Sequence, residues 1–145
     1  MINHFTEIFH RDIQKWKEEI LAFKNEEDLW KVKGGFINSA GNLTLHIIGN
    51  LNHFIGAQLG NTGYIREREK EFSDKNVLRD EMLKNLESAS ALVTKVLSGL
   101  NENDLEKIFP LNTFGENRST HFVLLQLVAH LNYHLGQVNA LRRLL

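Results

Sequence analysis

The sequence predicts an all-α fold, a four-helix bundle with one long crossover, in a single domain over residues 1–145. Four segments place apolar residues at alternating steps of three and four, the spacing that lines one face of an α-helix. Nothing alternates with period two for long enough to make a strand. The chain has one proline, Pro110, so long uninterrupted helices are permitted nearly everywhere. Amphipathic helices of this kind bury their stripes against one another as a bundle.

The first helix follows from Ile2, Phe5, Phe9, Ile13, Trp16, Ile20 and Phe23, with Lys15, Lys17, Glu18 and Glu19 mostly elsewhere on the wheel. Asn25 to Asp28 breaks the pattern. Leu29, Trp30 and Val32 are expected to pack a connecting segment onto the bundle before Gly34-Gly35 turns the chain. The second helix should start at Asn38 or Ser39, both good caps, and run to Gln58 or Leu59. Leu43, Ile47, Ile48, Leu51, Phe54 and Ile55 give it a broad apolar face. Gly49 and Gly56 each cost about 1 kcal/mol against alanine in a helix interior, which close approach of another helix would offset.

Gly60 to Tyr64 is a turn by composition, and Ile65 to Phe72 reads as a charged connector. A third helix is expected from Ser73 or Asp74, with the stripe Leu78, Met82, Leu86, Ala89, Val93, Val96 and Leu100, ended by Gly99 and Asn101. Asp104 to Pro110 suggests a short helical turn stopped by the proline. Ser119 or Thr120 caps the fourth helix, which runs to Arg142 or beyond, with Arg142 and Arg143 at the negative end of its dipole.

Composition excludes several classes of function. Apolar residues make up 42% and charged residues 24%, ordinary for a globular protein. The net charge is −1 with histidines neutral, so no overall basic field exists to hold nucleic acid by counterion release. There is no cysteine, which removes disulfides, thiolate ligands and a cysteine nucleophile. The N-terminus lacks the basic patch and long apolar run of a signal peptide. No stretch approaches the ~20 apolar residues needed to span a bilayer. A cytoplasmic protein without membrane or nucleic-acid partners is the expectation.

The chemistry lies in the histidines. His130 and His134 sit four residues apart in an apolar run, so both rings can point at a common atom from one helix face. The second helix carries a polar seam of its own, His46, Asn50 and His53. If those two helices are neighbours, His46 or His53 faces the His130–His134 pair across the bundle. Three neutral imidazoles suit zinc, nickel, iron(II) or copper and leave coordination positions open for water or substrate. The competing reading makes them core histidines hydrogen-bonded to neighbours, since a short HxxxH pattern also arises by chance. His4, His10 and His121 lie near element ends and are expected to be solvated.

The stretches Leu45-His46-Ile47-Ile48-Gly49-Asn50-Leu51-Asn52-His53-Phe54-Ile55-Gly56 and Ala129-His130-Leu131-Asn132-Tyr133-His134-Leu135-Gly136-Gln137 resemble the DinB-like family of metal-binding four-helix bundles. The likeness is to a bacterial branch without assigned activity, whose Gly-Asn-Thr-Gly-Tyr tract Gly60 to Tyr64 also fits. It covers nearly the whole chain in helix order and length. It implies one divalent metal, zinc or nickel, held by His46, His130 and His134. His53, seven residues and about 10 Å along the axis from His46, is the alternative third ligand. The apolar run after His46 matches the family better, which leaves His53 as a pocket, ligand-supporting or core residue. Gln137 then orients a ligand or bound water, or is a helix-face amide bonded to backbone; Asn50 has the same two readings. Tyr64, Arg66 and Arg68 are available to an anionic substrate at the bundle mouth, although a charge run on a connector is more often simply solvated.

Relatives of known activity are similar to thiol-dependent transferases and isomerases that use low-molecular-weight thiols such as bacillithiol, mycothiol or glutathione. The resemblance therefore implies a metal-dependent enzyme acting on a small molecule, a thiol S-transferase or a related hydrolase. The alternative is a non-catalytic metal-binding or structural, stress-related dimeric bundle. A homodimer is expected in either case.

Overall fold

A computed structural model describes residues 1–145. Helix α1 (Ile2–Ala22) buries the expected stripe, from Ile2 and Phe5 through Trp16 to Ile20, and Phe23 follows it into the core. A 3-10 turn at Glu26–Trp30 seats Leu29 inside, whereas Val32 stays about half exposed rather than packing with it. Gly34 and Gly35 then turn the chain with φ of +66° and +81°, a region that glycine enters without a Cβ clash.

Helix α2 (Ala40–Leu51) is capped by Ser39, whose Oγ accepts from the Asn42 N–H at 3.1 Å. It continues through a π-helical turn at Asn52–Ala57 and a last α turn at Gln58–Gly60, ending where Asn61 turns left-handed. The period of the apolar residues does not announce that turn. At its entry the Asn52 side chain donates to the Ile48 carbonyl at 2.8 Å, supplying that acceptor with a side-chain donor. One extra residue in the turn shifts every later side chain of the helix around its axis.

The crossover differs from expectation. Residues Arg68–Ser73 form a short helix, α3, and the next long helix, α4 (Arg79–Ser98), begins only at Arg79 rather than at Ser73 or Asp74. Asp74 is extended and Asn76 is left-handed at φ +59°, so no helix can run through them. Leu78 consequently lies outside the stripe, 62% exposed, and the buried face starts at Met82. Helix α5 (Glu102–Glu106) opens on a reciprocal capping box between Asn101 and Asp104. Helix α6 (Thr120–Leu144) is capped by Ser119, and the loop before it is pinned by Thr120 N–H to Lys107 O and Phe109 N–H to Arg118 O, both 2.8 Å.

The architecture is all-helical, with four long helices and two short ones; the one β-bridge, Ile108 to Ser119, is isolated. Helix α1 packs on α4 and α6, and α2 packs on the same two. Their stripes meet in one core that includes Trp16, Leu51, Ile55, Leu86, Leu127 and Leu131. Trp16 is fully buried, and its indole N–H donates to Thr44 Oγ1 at 2.9 Å, so α1 and α2 are also joined through the core. No helix is long and apolar enough to cross a membrane. The contact between α2 and α6 is what brings the two histidine segments together.

Candidate metal centre

His46 projects from α2, and His130 and His134 from α6, one turn apart. His130 Nε2 lies 3.1 Å from His46 Nε2 and 3.1 Å from His134 Nε2, and one ring nitrogen of each of the three falls within 4.8 Å of the others. The three side chains are therefore close enough to hold one metal ion. A tetrahedral ion with nitrogen bonds of about 2.0–2.1 Å sets its ligands about 3.3 Å apart, near the two shorter separations.

The outward nitrogens fix which proton each ring carries. His134 Nδ1 stands 2.6 Å from Gln137 Oε1, so the Nδ1–H donates to the amide carbonyl. His46 Nδ1 stands 3.0 Å from Glu71 Oε1, and a carboxylate only accepts, so here too Nδ1 carries the proton. Both rings then aim Nε2 lone pairs at His130. A single proton on His130 Nε2 can satisfy one of them and leaves the other without a donor. His130 Nδ1 is buried with no partner at all. A cation among the three Nε2 atoms would take up every inward lone pair at once, so the donor set fits a metal on its own chemistry.

Burial keeps His130 and His134 neutral, the form in which an imidazole can bind a metal. Burial is the main cause that lowers the His130 pKa from 6.5 to about 4, with His134, His46, Arg66 and Arg68 adding to it. Burial also lowers His134, against the bond to Gln137, which works the other way. Burial alone would raise the Glu71 carboxyl, but the bonds from His46 and Arg66 outweigh it and hold the group below the ordinary glutamate range.

The connector is a solvated charge run only in part: Arg66 and Glu71 turn inward. Glu71 is 6% exposed, and Arg66 grips it with both arms, Nε to Oε2 at 2.8 Å and Nη2 to Oε1 at 2.9 Å. Phe72 packs on the His46 ring with centroids 4.8 Å apart. Buried Asn42 donates from Nδ2 to the Glu71 and Asp74 carbonyls at 2.9 and 2.8 Å and so ties the end of α3 to α2. Arg68 and Tyr64, by contrast, stay exposed, with Arg68 over the Phe72 ring at 5.2 Å. Sequence reasoning had no means of separating Glu71 from Glu67 and Glu69 by composition. One signal was available: Gly49, a helical glycine one turn from His46, has no Cβ because the Glu71 carboxylate occupies that space.

The remaining candidates separate clearly. His53 lies in the π turn, half-buried, and makes no hydrogen bond to the three histidines. Burial and Arg66 lower its pKa. Asn50 is 5% exposed, and its Oδ1 has no partner. His4 and His10 are exposed as expected, but His121 is half-buried, edge-on to Phe5 with centroids 5.6 Å apart.

A cavity of about 400 Å³ opens against His134 and Gln137, walled by Gly34 to Asn38, Leu43 and Tyr133. No curated protein and no solved structure matches the chain. A family model described as a protein of unknown function does match, over residues 2–145, and by that match the chain belongs to the DUF1572 family.

Proposed function

We propose that His46, His130 and His134 hold one divalent metal ion, zinc or nickel, and that the protein is a metal-dependent enzyme of the DinB-like type acting on a small molecule. The observation that carries this reading is the convergence of three Nε2 atoms, two of them with their outward Nδ1 protons already committed to Glu71 and Gln137. Three protein ligands leave a position open, the arrangement of a catalytic site more than of a closed structural one. The nearby cavity has room for a small ligand beside His134.

A bound ion of this kind supplies Lewis acidity, which lowers the pKa of a coordinated water or thiol. The chain's own residues provide the rest. Burial keeps the His130 and His134 rings neutral, Glu71 and Gln137 keep the Nε2 lone pairs of His46 and His134 turned inward, and the low exposure of His46 limits water on that side. The DinB-like resemblance points to transfer from a low-molecular-weight thiol. With no cysteine in the chain, such a sulfur has to come from the co-substrate. The non-catalytic alternative needs a fourth protein ligand, and neither Asn50 nor His53 bonds to the histidine cluster. A homodimer remains part of this proposal, with Leu125 and Tyr133 exposed on α6 as surface for a second copy.

The test is metal content by elemental mass spectrometry on untagged protein, wild type beside His134→Ala and His53→Ala. Near-stoichiometric metal that disappears in His134→Ala and survives in His53→Ala is the expected result, and thiol-transfer assays follow from it. Loss in both variants would make His53 a ligand. No metal in the wild type, even after reconstitution with zinc or nickel, would sink the proposal.

A further inference from the structure

We infer that Glu71 is a positioning residue for this centre: its carboxylate fixes His46 in the Nδ1–H form with Nε2 free, and Arg66 fixes the carboxylate. The inference rests on the metal-binding reading for its consequence, though not for its test.

Two polar groups face His46 Nδ1, and they want opposite things of it. Glu71 Oε1, at 3.0 Å, can only accept, whereas Arg66 Nη2, at 3.3 Å, can only donate. One nitrogen cannot satisfy both. The glutamate contact is shorter, and Arg66 already places its two facing N–H groups on Glu71 at 2.8 and 2.9 Å. The ring therefore gives its Nδ1 proton to Glu71, and the guanidinium is spent on holding that acceptor still. With the carboxylate removed, the balance reverses. His46 Nδ1 is left beside a guanidinium that can only donate, the ring turns to the Nε2–H form, and its proton points to where the ion would sit. A metal then has to displace that proton before it can bind.

Three further features place the carboxylate from outside α3. Gly49 leaves the space that the carboxylate fills, and a methyl group there would collide with it. Asn42 holds the Glu71 and Asp74 carbonyls, so the end of α3 is tied to the helix that carries His46. Asn42 is itself held by Ser39 Oγ, donating to its Oδ1 at 2.8 Å, and by Lys75 Nζ on the same oxygen. The three histidines are accordingly not equivalent: His46 has a charged acceptor behind it, His134 a neutral one, and His130 none.

The experiment is carried out on the full chain in two stages. Long-range ¹H–¹⁵N correlation spectra of metal-free protein at pH 7.5 report the tautomer of each histidine. Competition against a chromophoric chelator reports the zinc dissociation constant. Wild type should show His46 as Nδ1–H. Glu71→Ala should convert it to Nε2–H and weaken zinc by roughly 10–100-fold. Glu71→Gln, which restores a neutral acceptor of the kind that serves His134, should return the Nδ1–H form and most of the affinity.

Gly49→Ala should reproduce the Glu71→Ala tautomer without altering the glutamate, and it decides the matter if Glu71→Ala does not fold. An unchanged His46 tautomer in folded Glu71→Ala or Gly49→Ala, or wild-type zinc affinity in Glu71→Ala, would overturn the inference. Wild type that binds no zinc would sink the metal reading alone, because the tautomer comparison still decides what Glu71 does.

Discussion

His130 is the histidine of the cluster with the least support and the largest perturbation, and its pH behaviour follows from that. Its pKa falls from 6.5 to about 4, chiefly because burial disfavours the charged ring. A depressed histidine leaves the native state binding fewer protons than the unfolded chain. Its contribution to stability is then fully present above pH 6.5 and is lost as pH falls from 6.5 toward about 4. Metal-free wild type should lose denaturation midpoint steadily over that window, and His130→Leu should show a flatter profile. Equal slopes in the two proteins would remove His130 as the cause. At this scale the pair at 130 and 134 was legible because a spacing of four needs no tertiary knowledge. Choosing His46 over His53 took a family resemblance, since both lie on one face of an ideal helix. The structure brings His46 to within 3.1 Å of His130, and His53 sits beyond the start of the π turn, where an ideal helical wheel no longer applies.

Helices α2 and α6 each carry glycines mid-helix, and the structure separates them by what a methyl group would meet. At Gly49 it would strike the Glu71 carboxylate, and at Gly56 it would come to 2.9 Å from a Leu92 methyl on α4. At Gly136 it would meet nothing within 4 Å, on an exposed part of α6. Gly136→Ala should therefore stabilise the protein by about 0.5–1 kcal/mol, since alanine fits a helix and restricts the unfolded chain. Gly49→Ala should destabilise it. Urea midpoints of the two variants check this pair, and a destabilised Gly136→Ala would mean that something packs on that face. The four long helices were legible because each stripe holds its period over several turns. The crossover was not. Whether charged residues such as Arg66 and Glu71 face solvent or one another depends on where α3 docks, and that is set by Asn42 far away in sequence and by the empty space at Gly49.

For the molecule as a whole, the cluster joins segments that are 84 residues apart, so it exists only once the bundle has assembled. Helix α2 contributes His46, α6 contributes His130 and His134, and α3 is tied in through Glu71. An ion held there cannot be held in the same way by the unfolded chain, and its binding free energy becomes folding free energy. Free metal at 100 times its dissociation constant adds about 2.7 kcal/mol. For a domain of this size that corresponds to a rise in Tm of roughly 5–10 °C. Calorimetric scans of wild type with zinc or nickel should show the rise, and a chelator should reverse it. His134→Ala should lose most of it, because two imidazoles bind far more weakly than three. The rise should also be smaller in Glu71→Ala, where part of the binding energy goes into turning the His46 ring. A wild-type Tm that does not respond to either metal, or a response that His134→Ala keeps in full, would mean that the ion is not bridging α2 and α6 and that packing alone holds the bundle.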